Sequence, residues 1–292
     1  DTAEGSSRPI YPSRLKMLLL AVLIGLLVPA VVLLSILFLD TRVRSRKDLE
    51  ELIHVPFAGE IPKFKKTSKI KKVPENSLVY DPHSKGVFTE ALRLLCTNLE
   101  FMKPEGVQNP VVITTSFSNA AGKTFVAVNL AACLSDAKKR VVLIDADLRK
   151  RTLSGHFALK HKTEGLSNYI YDDTMTLDAV IHKNIMEGVD LIPAGQVPPN
   201  PTEILSRRRF EELIALLKEQ YDYVIMDSVP VNVVADPYII NRVVDLTLFI
   251  VRTGQIDRRI LPEMDDLYAS RKLNGMSVIL NGSTLRKRYG SY

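Results

Sequence analysis

The spacing of hydrophobic positions divides this chain into two parts. Residues 17–39 form an uninterrupted apolar run of 23 residues without a charge. Beyond residue 86, short continuous apolar segments alternate with segments in which apolar residues recur at helical spacing. Continuous apolar strands that alternate with helices are typical of a parallel sheet covered by helices on both faces. The pattern therefore predicts an α/β fold with a doubly wound parallel sheet, preceded by one long apolar helix.

The alternating part predicts six strands and five helices. The strands are expected at 111–115, 141–144, 189–193, 223–226, 247–251 and 277–280. The helices are expected at 87–102, 124–136, 202–220, 237–243 and 258–272. The whole chain then divides into five segments. They are a lead-in with a proline-rich motif (1–16), a transmembrane helix (17–39), a basic linker (40–85), a folded domain (86–284) and the start of a tail (285–292).

The apolar run is long enough to cross a membrane. At about 1.5 Å per residue, a helix of this length matches a hydrocarbon core of about 30 Å. Residues 42–72 follow with ten Lys and Arg against four acidic residues, and this difference equals the net charge of +6 of the whole chain. Basic residues next to a span favour the cytoplasmic side and attract anionic lipid. We therefore expect the folded domain to lie in the cytoplasm beside the membrane.

The cysteines and the ends of the chain add little to the predicted fold. Cys96 and Cys133 have no metal-ligand spacing and are predicted to be reduced, packed thiols. The chain begins with Asp1 rather than Met, and two closely spaced tyrosines stand at its other end. We expect it to be a piece of a longer protein.

A loop that can bind phosphates follows the first predicted strand of the folded domain. Residues 118–124 read Ser-Asn-Ala-Ala-Gly-Lys-Thr and lead into a predicted helix. Backbone N–H groups at such a helix start bind phosphates, Lys123 can reach the β and γ phosphates, and the Thr124 hydroxyl can ligate Mg²⁺. The loop is irregular, because Phe117 stands where a P-loop has its first glycine. The predicted nucleotide contacts are Asn119, Ala120, Ala121, Gly122, Lys123, Thr124 and Phe125.

Three aspartates end or follow apolar strands of the same domain. Asp145 and Asp147 lie at the end of one strand, and Asp227 ends another. A single aspartate there is usually a turn residue, but three beside a P-loop favour a site in the crevice at the carboxyl ends of the strands. Phosphoryl transfer needs a cation and carboxylate-held Mg²⁺, and a further carboxylate can accept a proton. The predicted catalytic residues are therefore Lys123, Asp145, Asp147 and Asp227.

The motif Asp145-x-Asp147-x-Arg149 resembles the second acidic motif of the bacterial tyrosine kinases, the Wzc-like polysaccharide copolymerase family. Other segments similar to that family are Pro9-x-x-Pro12 and residues 48–62, 90–98, 195–201 and 279–282. These segments extend over nearly the whole chain. The resemblance is to the C-terminal part of such a kinase, namely its second membrane span and its cytoplasmic kinase domain.

For the site, the resemblance implies an enzyme that transfers phosphate from ATP to tyrosine on neighbouring subunits of its own kind. It implies that Thr124, Asp147 and Asp227 hold Mg²⁺ and that Asp145 is the base. It also implies that Asn281 approaches the adenine.

The resemblance also implies an assembly. The family forms a ring through an E-x-x-R-x-x-R pattern. Neighbouring chains are therefore expected to form a homo-oligomeric ring through Glu90 and Arg93, with Cys96 in place of the second Arg of the pattern. Tyr289 and Tyr292 are the expected autophosphorylation sites. The implied location is the bacterial inner membrane. The implied partners are anionic lipid, the machinery for capsular or extracellular polysaccharide polymerisation and export, and a cognate protein-tyrosine phosphatase, but no nucleic acid.

Two other functions stay open at this point. A partitioning or septum-positioning ATPase shares the P-loop and the acidic strand end, but it carries a signature Lys five residues before the P-loop Lys, where this chain has Ser118. A nucleotide-gated scaffold with weak catalysis would control polymer length through its ring shape. Transfer of phosphate to tyrosine distinguishes the kinase from both alternatives, whereas ATP hydrolysis does not.

Overall fold

The chain forms two compact units, Asp1–Arg42 and Val43–Tyr292. The computed structural model describes residues 13–64, 78–157, 159 and 163–284. The proline motif, the basic residues 65–72, Tyr289 and Tyr292 lie outside the described residues.

The described residues of the first unit form one helix, α1 (Arg14–Leu39). Its segment Leu15–Ser35 is long and apolar enough to cross a membrane, and it is the one such helix among the described residues. The predicted apolar helix is therefore confirmed. Pro29 lies inside it, where a proline removes one backbone hydrogen bond.

The larger unit contains ten α-helices and eight strands in its described part. The helices are α2 (Arg46–Glu50), α3 (Val87–Met102), α4 (Lys123–Asp136), α5 (Thr152–His156), α6 (Leu166–Tyr171), α7 (Leu177–Val180), α8 (Pro201–Ser206), α9 (Arg208–Gln220), α10 (Asp236–Ile240) and α11 (Leu261–Ala269). The strands are β1 (Phe57–Pro62), β2 (Val111–Thr115), β3 (Val141–Asp145), β4 (His182–Met186), β5 (Val189–Ile192), β6 (Tyr223–Asp227), β7 (Leu246–Arg252) and β8 (Met276–Ser283). Short 3₁₀ turns, Asn241–Val243 and Arg258–Ile260, follow α10 and precede α11.

The eight described strands form one sheet in the order β1-β8-β7-β2-β6-β3-β5-β4. Neighbouring strands are parallel except β5 and β4, which form an antiparallel hairpin at one edge. Helices α3 and α4 pack on one face of the sheet. Helices α6, α8 and α9 cover part of the other face, and α11 covers the part next to β7 and β8. The predicted doubly wound parallel sheet is confirmed.

The edge strand β1 lies in the segment 40–85 that the sequence pattern assigns to a linker. It pairs in parallel with β8, and its Ala58 and Ile61 side chains are fully buried in the core that α3 shares. The Asn98 side chain of α3 donates a hydrogen bond to the Ala58 carbonyl (2.8 Å). Six residues beside basic neighbours carry little strand signal, so their sheet partner decides the assignment. Residues from Val43 onward belong to the larger compact unit.

The structure also differs from the predicted elements between residues 182 and 220. A single helix predicted over 202–220 is two helices, because the Arg207 backbone is extended (φ −68°, ψ 146°). The break allows Leu205 of α8 and Phe210 of α9 to be fully buried in one core. Strand β4 is absent from the predicted set, because its five residues are mostly polar and partly exposed.

Candidate nucleotide-binding site

The loops after β2, β3 and β6 meet at one edge of the sheet, because these parallel strands are neighbours in the order β2-β6-β3. They border a cavity of about 660 Å³. The predicted site residues that line it are Asn119, Ala120, Gly122, Lys123, Thr124, Phe125, Asp147, Asp227 and Asn281. Two other predicted residues, Ala121 and Asp145, are fully buried and do not line the cavity.

Two residues of the phosphate-binding loop have left-handed backbone conformations. Gly122 has φ +96°, and a Cβ atom at this position would collide with Nδ2 of Asn281, so glycine is required. Ala120 has φ +59°, which costs an L-residue about 1 kcal/mol. The same Asn281 amide donates a hydrogen bond to the Ala121 carbonyl (2.8 Å). Asn281 therefore fixes the turn that leads into α4.

Two further side chains hold this loop from the end of β7. Arg252 donates a hydrogen bond to the carbonyl of Ala120 (2.7 Å), and Gln255 donates one to the carbonyl of Asn119 (2.8 Å). These contacts fix the carbonyl groups of two successive residues of the loop. Sequence reasoning missed both residues, since an isolated polar residue after a strand carries no local signal.

The hydroxyl of Thr124 at the start of α4 donates a short hydrogen bond to Oδ2 of Asp227 at the end of β6. The other carboxylate oxygen accepts a longer hydrogen bond from Thr114 (3.3 Å). Burial raises the pKa of Asp227 to about 6, although the Thr124 hydrogen bond and the charge of Lys123 oppose that change. A hydroxyl and a carboxylate are therefore held side by side in the cavity wall.

Lys123 is largely buried at the same wall. Its ammonium donates a hydrogen bond to the Ser116 hydroxyl (3.5 Å). Burial lowers the pKa of Lys123, while the carboxylates of Asp227 and Asp147 act in the opposite direction. Binding of a phosphate would add a further anion beside this ammonium and favour its charged form.

The two aspartates of the acidic motif have different surroundings. Asp147 lines the cavity, and its Oδ1 accepts hydrogen bonds from the backbone N–H groups of Lys150 (2.9 Å) and Arg149 (3.3 Å). These bonds use only one of its two carboxylate oxygens. The other oxygen is thus free of these bonds, and Asp147 fits the role of a metal ligand predicted for it.

Asp145 is buried, and its carboxylate is bound to the next helix. Oδ2 accepts hydrogen bonds from the backbone N–H of Ser154 (2.8 Å) and from its hydroxyl (2.7 Å). The Ser154 hydroxyl in turn accepts a hydrogen bond from the N–H of Ala194, beyond β5 (3.1 Å). Burial, and then the charge of Asp227, raises the pKa of Asp145 to about 7. The carboxylate therefore connects β3, α5 and the end of β5, and it does not line the cavity as a base would.

Several lining residues were outside the predicted set: Pro62, Lys63, Phe64, Val79, Lys150, Thr152, Ser228, Arg252 and Gly282. Pro62 ends β1, and Lys63 and Phe64 follow it, so these three line the cavity because of the position of that strand. Lys150 directly follows the acidic motif, and this neighbourhood is a signal that could have found it.

The side chains around the cavity include ligands that Mg²⁺ uses in nucleotide sites. Among the described residues, no group of three or more His, Cys, Asp and Glu could hold a metal ion by itself. Mg²⁺ in nucleotide sites takes only one or two carboxylates, a hydroxyl, water and phosphate oxygens. The Thr124 hydroxyl beside the Asp227 carboxylate, with Asp147 in the same cavity wall, fits that requirement.

The residues predicted for ring contacts lie on α3 and are not among the residues that line the cavity. Arg93 pairs with Glu90 on the same helix (2.7 Å) and donates a hydrogen bond to the Pro82 carbonyl (2.7 Å). Both partners leave part of their side chains exposed. The ring interface stays a prediction. The nearby Cys96 and Cys133 are free and buried, which confirms the predicted packed thiols.

The class of the protein follows from the position of the loop. A phosphate-binding loop between a central parallel strand and the helix after it, next to an acidic strand end, defines a P-loop protein of the α/β class. A family model described as an AAA domain matches residues 112–241 of the chain.

Similar proteins narrow this class. Tyrosine-protein kinase YwqD of Bacillus subtilis is 33% identical, and the match covers 71% of this chain and 87% of YwqD. Tyrosine-protein kinase Wzc of Salmonella typhi is also 33% identical, and the match covers 99% of this chain and 41% of Wzc. The chain belongs to the family of bacterial tyrosine kinases. It spans about two fifths of the length of the Wzc-type relatives.

Solved structures agree with this assignment. The kinase domain of the Escherichia coli tyrosine kinase ETK has a TM-score of 0.71 at 29% identity, and the match covers 86% of this chain and 99% of that domain. The BceF tyrosine kinase domain has a TM-score of 0.69 at 28% identity, and covers 83% of this chain. The α/β fold of the larger unit is therefore that of this kinase family.

Proposed function

We propose that this chain is an ATP-dependent protein-tyrosine kinase that phosphorylates tyrosines of neighbouring copies of itself. The observation that supports this most is the single cavity in which Lys123, Thr124, Asp147 and Asp227 meet. Its residues match what phosphoryl transfer needs, which is a cation, metal ligands and a fixed phosphate loop. The similar proteins are tyrosine-protein kinases from several bacteria, which supports tyrosine as the acceptor.

ATP and Mg²⁺ are the proposed cofactors. Thr124, Asp147 and Asp227 would hold the metal ion, and Lys123 with the N–H groups of the loop would hold the phosphates. When bound, Mg²⁺ neutralises charge on the β and γ phosphates. Asn281, which holds the loop through Ala121, is a candidate for a contact with the base of the nucleotide.

In the proposed reaction, the bond between the γ phosphorus and the β-phosphate oxygen breaks, and a bond to the phenol oxygen forms. ADP leaves, and the phenol proton is released. Asp147 and Asp227 are the carboxylates that line the cavity, whereas Asp145 is bound to Ser154. We therefore assign the proton acceptor to the cavity carboxylates and give Asp145 a positioning role.

The cellular setting is also a proposal. Helix α1 would anchor the kinase in the bacterial inner membrane, with the larger unit in the cytoplasm and basic residues 42–72 against anionic lipid. A ring through Glu90 and Arg93 would present Tyr289 and Tyr292 to neighbouring subunits. The ring would act with the machinery for capsular or extracellular polysaccharide polymerisation and export, and a cognate protein-tyrosine phosphatase would reverse the modification.

The test compares tyrosine phosphate on the full chain in detergent, with ATP and Mg²⁺, for wild type and Lys123→Met. Lys272→Met is the matched control, because Lys272 is exposed near the start of β8, at the opposite edge of the sheet. We expect tyrosine phosphate with wild type and the control but not with Lys123→Met. Nucleotide binding without tyrosine phosphate in the wild type would overturn the kinase and favour the nucleotide-gated scaffold.

A further inference from the structure

Lys150 extends the nucleotide site by a cation that the predicted set lacks. The residue follows the acidic motif and lines the cavity together with Lys123 and Asp147. Its ammonium donates a hydrogen bond to Oδ1 of Asn119 in the phosphate loop (3.0 Å). Its backbone N–H is held by Asp147 (2.9 Å). The side chain therefore extends from the loop after β3 to the loop after β2.

Among the residues that the structure describes, no carboxylate pairs with the ammonium of Lys150. Within the described part of the chain, its side-chain partner is the neutral amide of Asn119. The neighbouring Arg149, by contrast, forms an ion pair with the buried carboxylate of Asp236 (3.4 Å). A Lys ammonium is a strong, compact charge that gains most from an anion, and a phosphate is such an anion.

Lys150 and Lys123 act on the same space. Both side chains line the same cavity. Asp227 ends β6, which lies between β2 and β3 in the sheet, so the two lysines approach from loops on either side of that carboxylate. Two like charges that face one cavity repel each other until an anion lies between them.

We propose that Lys150 binds the terminal phosphate of the nucleotide opposite Lys123, exchanging its Asn119 hydrogen bond for one to a γ-phosphate oxygen. This proposal rests on the proposed nucleotide-dependent function. The γ-phosphoryl group keeps its oxygens as it moves from the β-phosphate oxygen to the phenol oxygen, while ADP leaves and a cavity carboxylate, Asp147 or Asp227, accepts the phenol proton. A cation on those oxygens therefore stabilises the group during transfer. An ADP molecule has no γ-phosphate and offers this ammonium no partner.

The difference between ADP and a triphosphate supplies the test. We would titrate the full chain in detergent with ADP and with AMP-PNP, a triphosphate that is not transferred, each with Mg²⁺, by isothermal calorimetry. For Lys150→Met we expect the AMP-PNP affinity to fall about tenfold and the ADP affinity to change by less than about twofold. Lys150→Arg keeps the charge and should retain most of the preference. Lys272→Met should leave both affinities unchanged.

A second variant distinguishes phosphate binding from a role in holding the loop. Asn119→Ala removes the tether but keeps the charge of Lys150, so it should change both affinities by the same factor. The proposal is overturned if Lys150→Met weakens both nucleotides equally, or if Asn119→Ala reproduces its selective loss. Unfolding temperatures measured by circular dichroism identify a variant that does not fold. If Lys150→Met does not fold, the test uses Lys150→Arg, and the proposal is overturned if that variant loses the preference for AMP-PNP over ADP.

The outcomes for the two proposals are distinct. A wild-type chain that binds neither nucleotide overturns the nucleotide-dependent function and the role of Lys150 with it. A chain that binds AMP-PNP through Lys150 but forms no tyrosine phosphate overturns the kinase alone. If Lys150→Met forms tyrosine phosphate at the wild-type rate at saturating ATP, Lys150 contributes to nucleotide binding only. The proposed stabilisation of the γ-phosphoryl group during transfer is then overturned.

Discussion

The hydroxyl of Thr124 donates a hydrogen bond to the carboxylate of Asp227, although 103 residues separate them along the chain. One residue begins α4, and the other ends β6, the strand next to β2 in the sheet. Their contact exists because the parallel pairing of β2 and β6 brings the loop after β2 and the end of β6 to the same edge. This pair is the centre of the proposed metal site.

Removing the Thr124 hydroxyl should therefore remove much of the effect of Mg²⁺ on nucleotide binding. For Thr124→Ala we expect the AMP-PNP affinity with Mg²⁺ to fall about tenfold or more, while the affinity in EDTA changes little. The measurement is calorimetric titration under both conditions. Thr124→Ser retains the hydroxyl and is the matched control. An unaltered Mg²⁺ effect in Thr124→Ala would remove this residue from the metal site.

The two aspartates of the acidic motif should respond differently to the same change. Asp147→Asn alters a carboxylate in the cavity wall, and we expect tyrosine phosphorylation to fall about a hundredfold or more. Asp145→Asn keeps the side-chain shape and an oxygen for Ser154, so we expect a fall of less than about tenfold. Rates of tyrosine phosphate formation check both. A loss in Asp145→Asn as large as in Asp147→Asn, with an unchanged unfolding temperature, would restore Asp145 as the base.

Two neighbouring alanines in the phosphate loop should differ in their response to glycine. Ala120 has a left-handed backbone, where glycine is favoured, so Ala120→Gly should leave the free energy of unfolding within about 0.5 kcal/mol of wild type. Ala121 is fully buried, and Ala121→Gly should lower the free energy of unfolding by about 1 kcal/mol. Urea unfolding followed by circular dichroism provides the comparison. Equal losses in both variants would contradict the strain assigned to Ala120.

The membership of β1 in the sheet can be tested through its buried side chain. Ile61 is fully buried, so Ile61→Ala should lower the free energy of unfolding by about 2–4 kcal/mol. Leu52→Ala, at a partly exposed residue outside β1, should have a much smaller effect. The backbone N–H groups of residues 57–61 that bond to β8 should also exchange slowly with solvent deuterium. A small effect of Ile61→Ala together with fast exchange would show that this segment belongs to the linker and not to the sheet.

A pH effect on stability should arise at His156 in α5. Burial lowers the pKa of this imidazole below its ordinary value of 6.5, so the folded chain binds the proton less readily than the unfolded chain. The stabilising contribution is present above pH 6.5 and is lost as the pH falls through the folded pKa. His156→Gln should reduce this acid-induced loss in urea unfolding between about pH 7 and pH 5. The exposed His83→Gln is the control, and equal pH profiles for all three chains would exclude His156.

Much of the fold was predictable because its signals are local. The strands β2, β3 and β6 are continuous apolar segments, and the phosphate loop and the aspartates are recognised from neighbouring residues. The doubly wound sheet follows from the alternation of strands and helices. Strand β1 was not predictable in this way, because its pairing with β8 joins segments more than 200 residues apart.

The candidate site also combines residues that have a local sequence signal with residues that only long-range contacts place there. The chain sequence alone identified Lys123, Thr124, Asp147 and Asp227, since a loop motif and acidic strand ends are visible without a partner. The family resemblance implied Asn281 as a contact to the adenine, but it did not indicate that the Asn281 amide holds the loop.

Only the tertiary structure separated Asp145 from Asp147 and brought Lys150 and Arg252 to the cavity. Two carboxylates two positions apart look alike in a sequence, but one is buried by Ser154 and the end of β5, and the other faces the cavity. The packing of α5 against the end of β5 decides which of them a ligand can reach. Local patterns therefore determined which residues belong to the proposed phosphate site, and long-range packing decided which of them line the cavity.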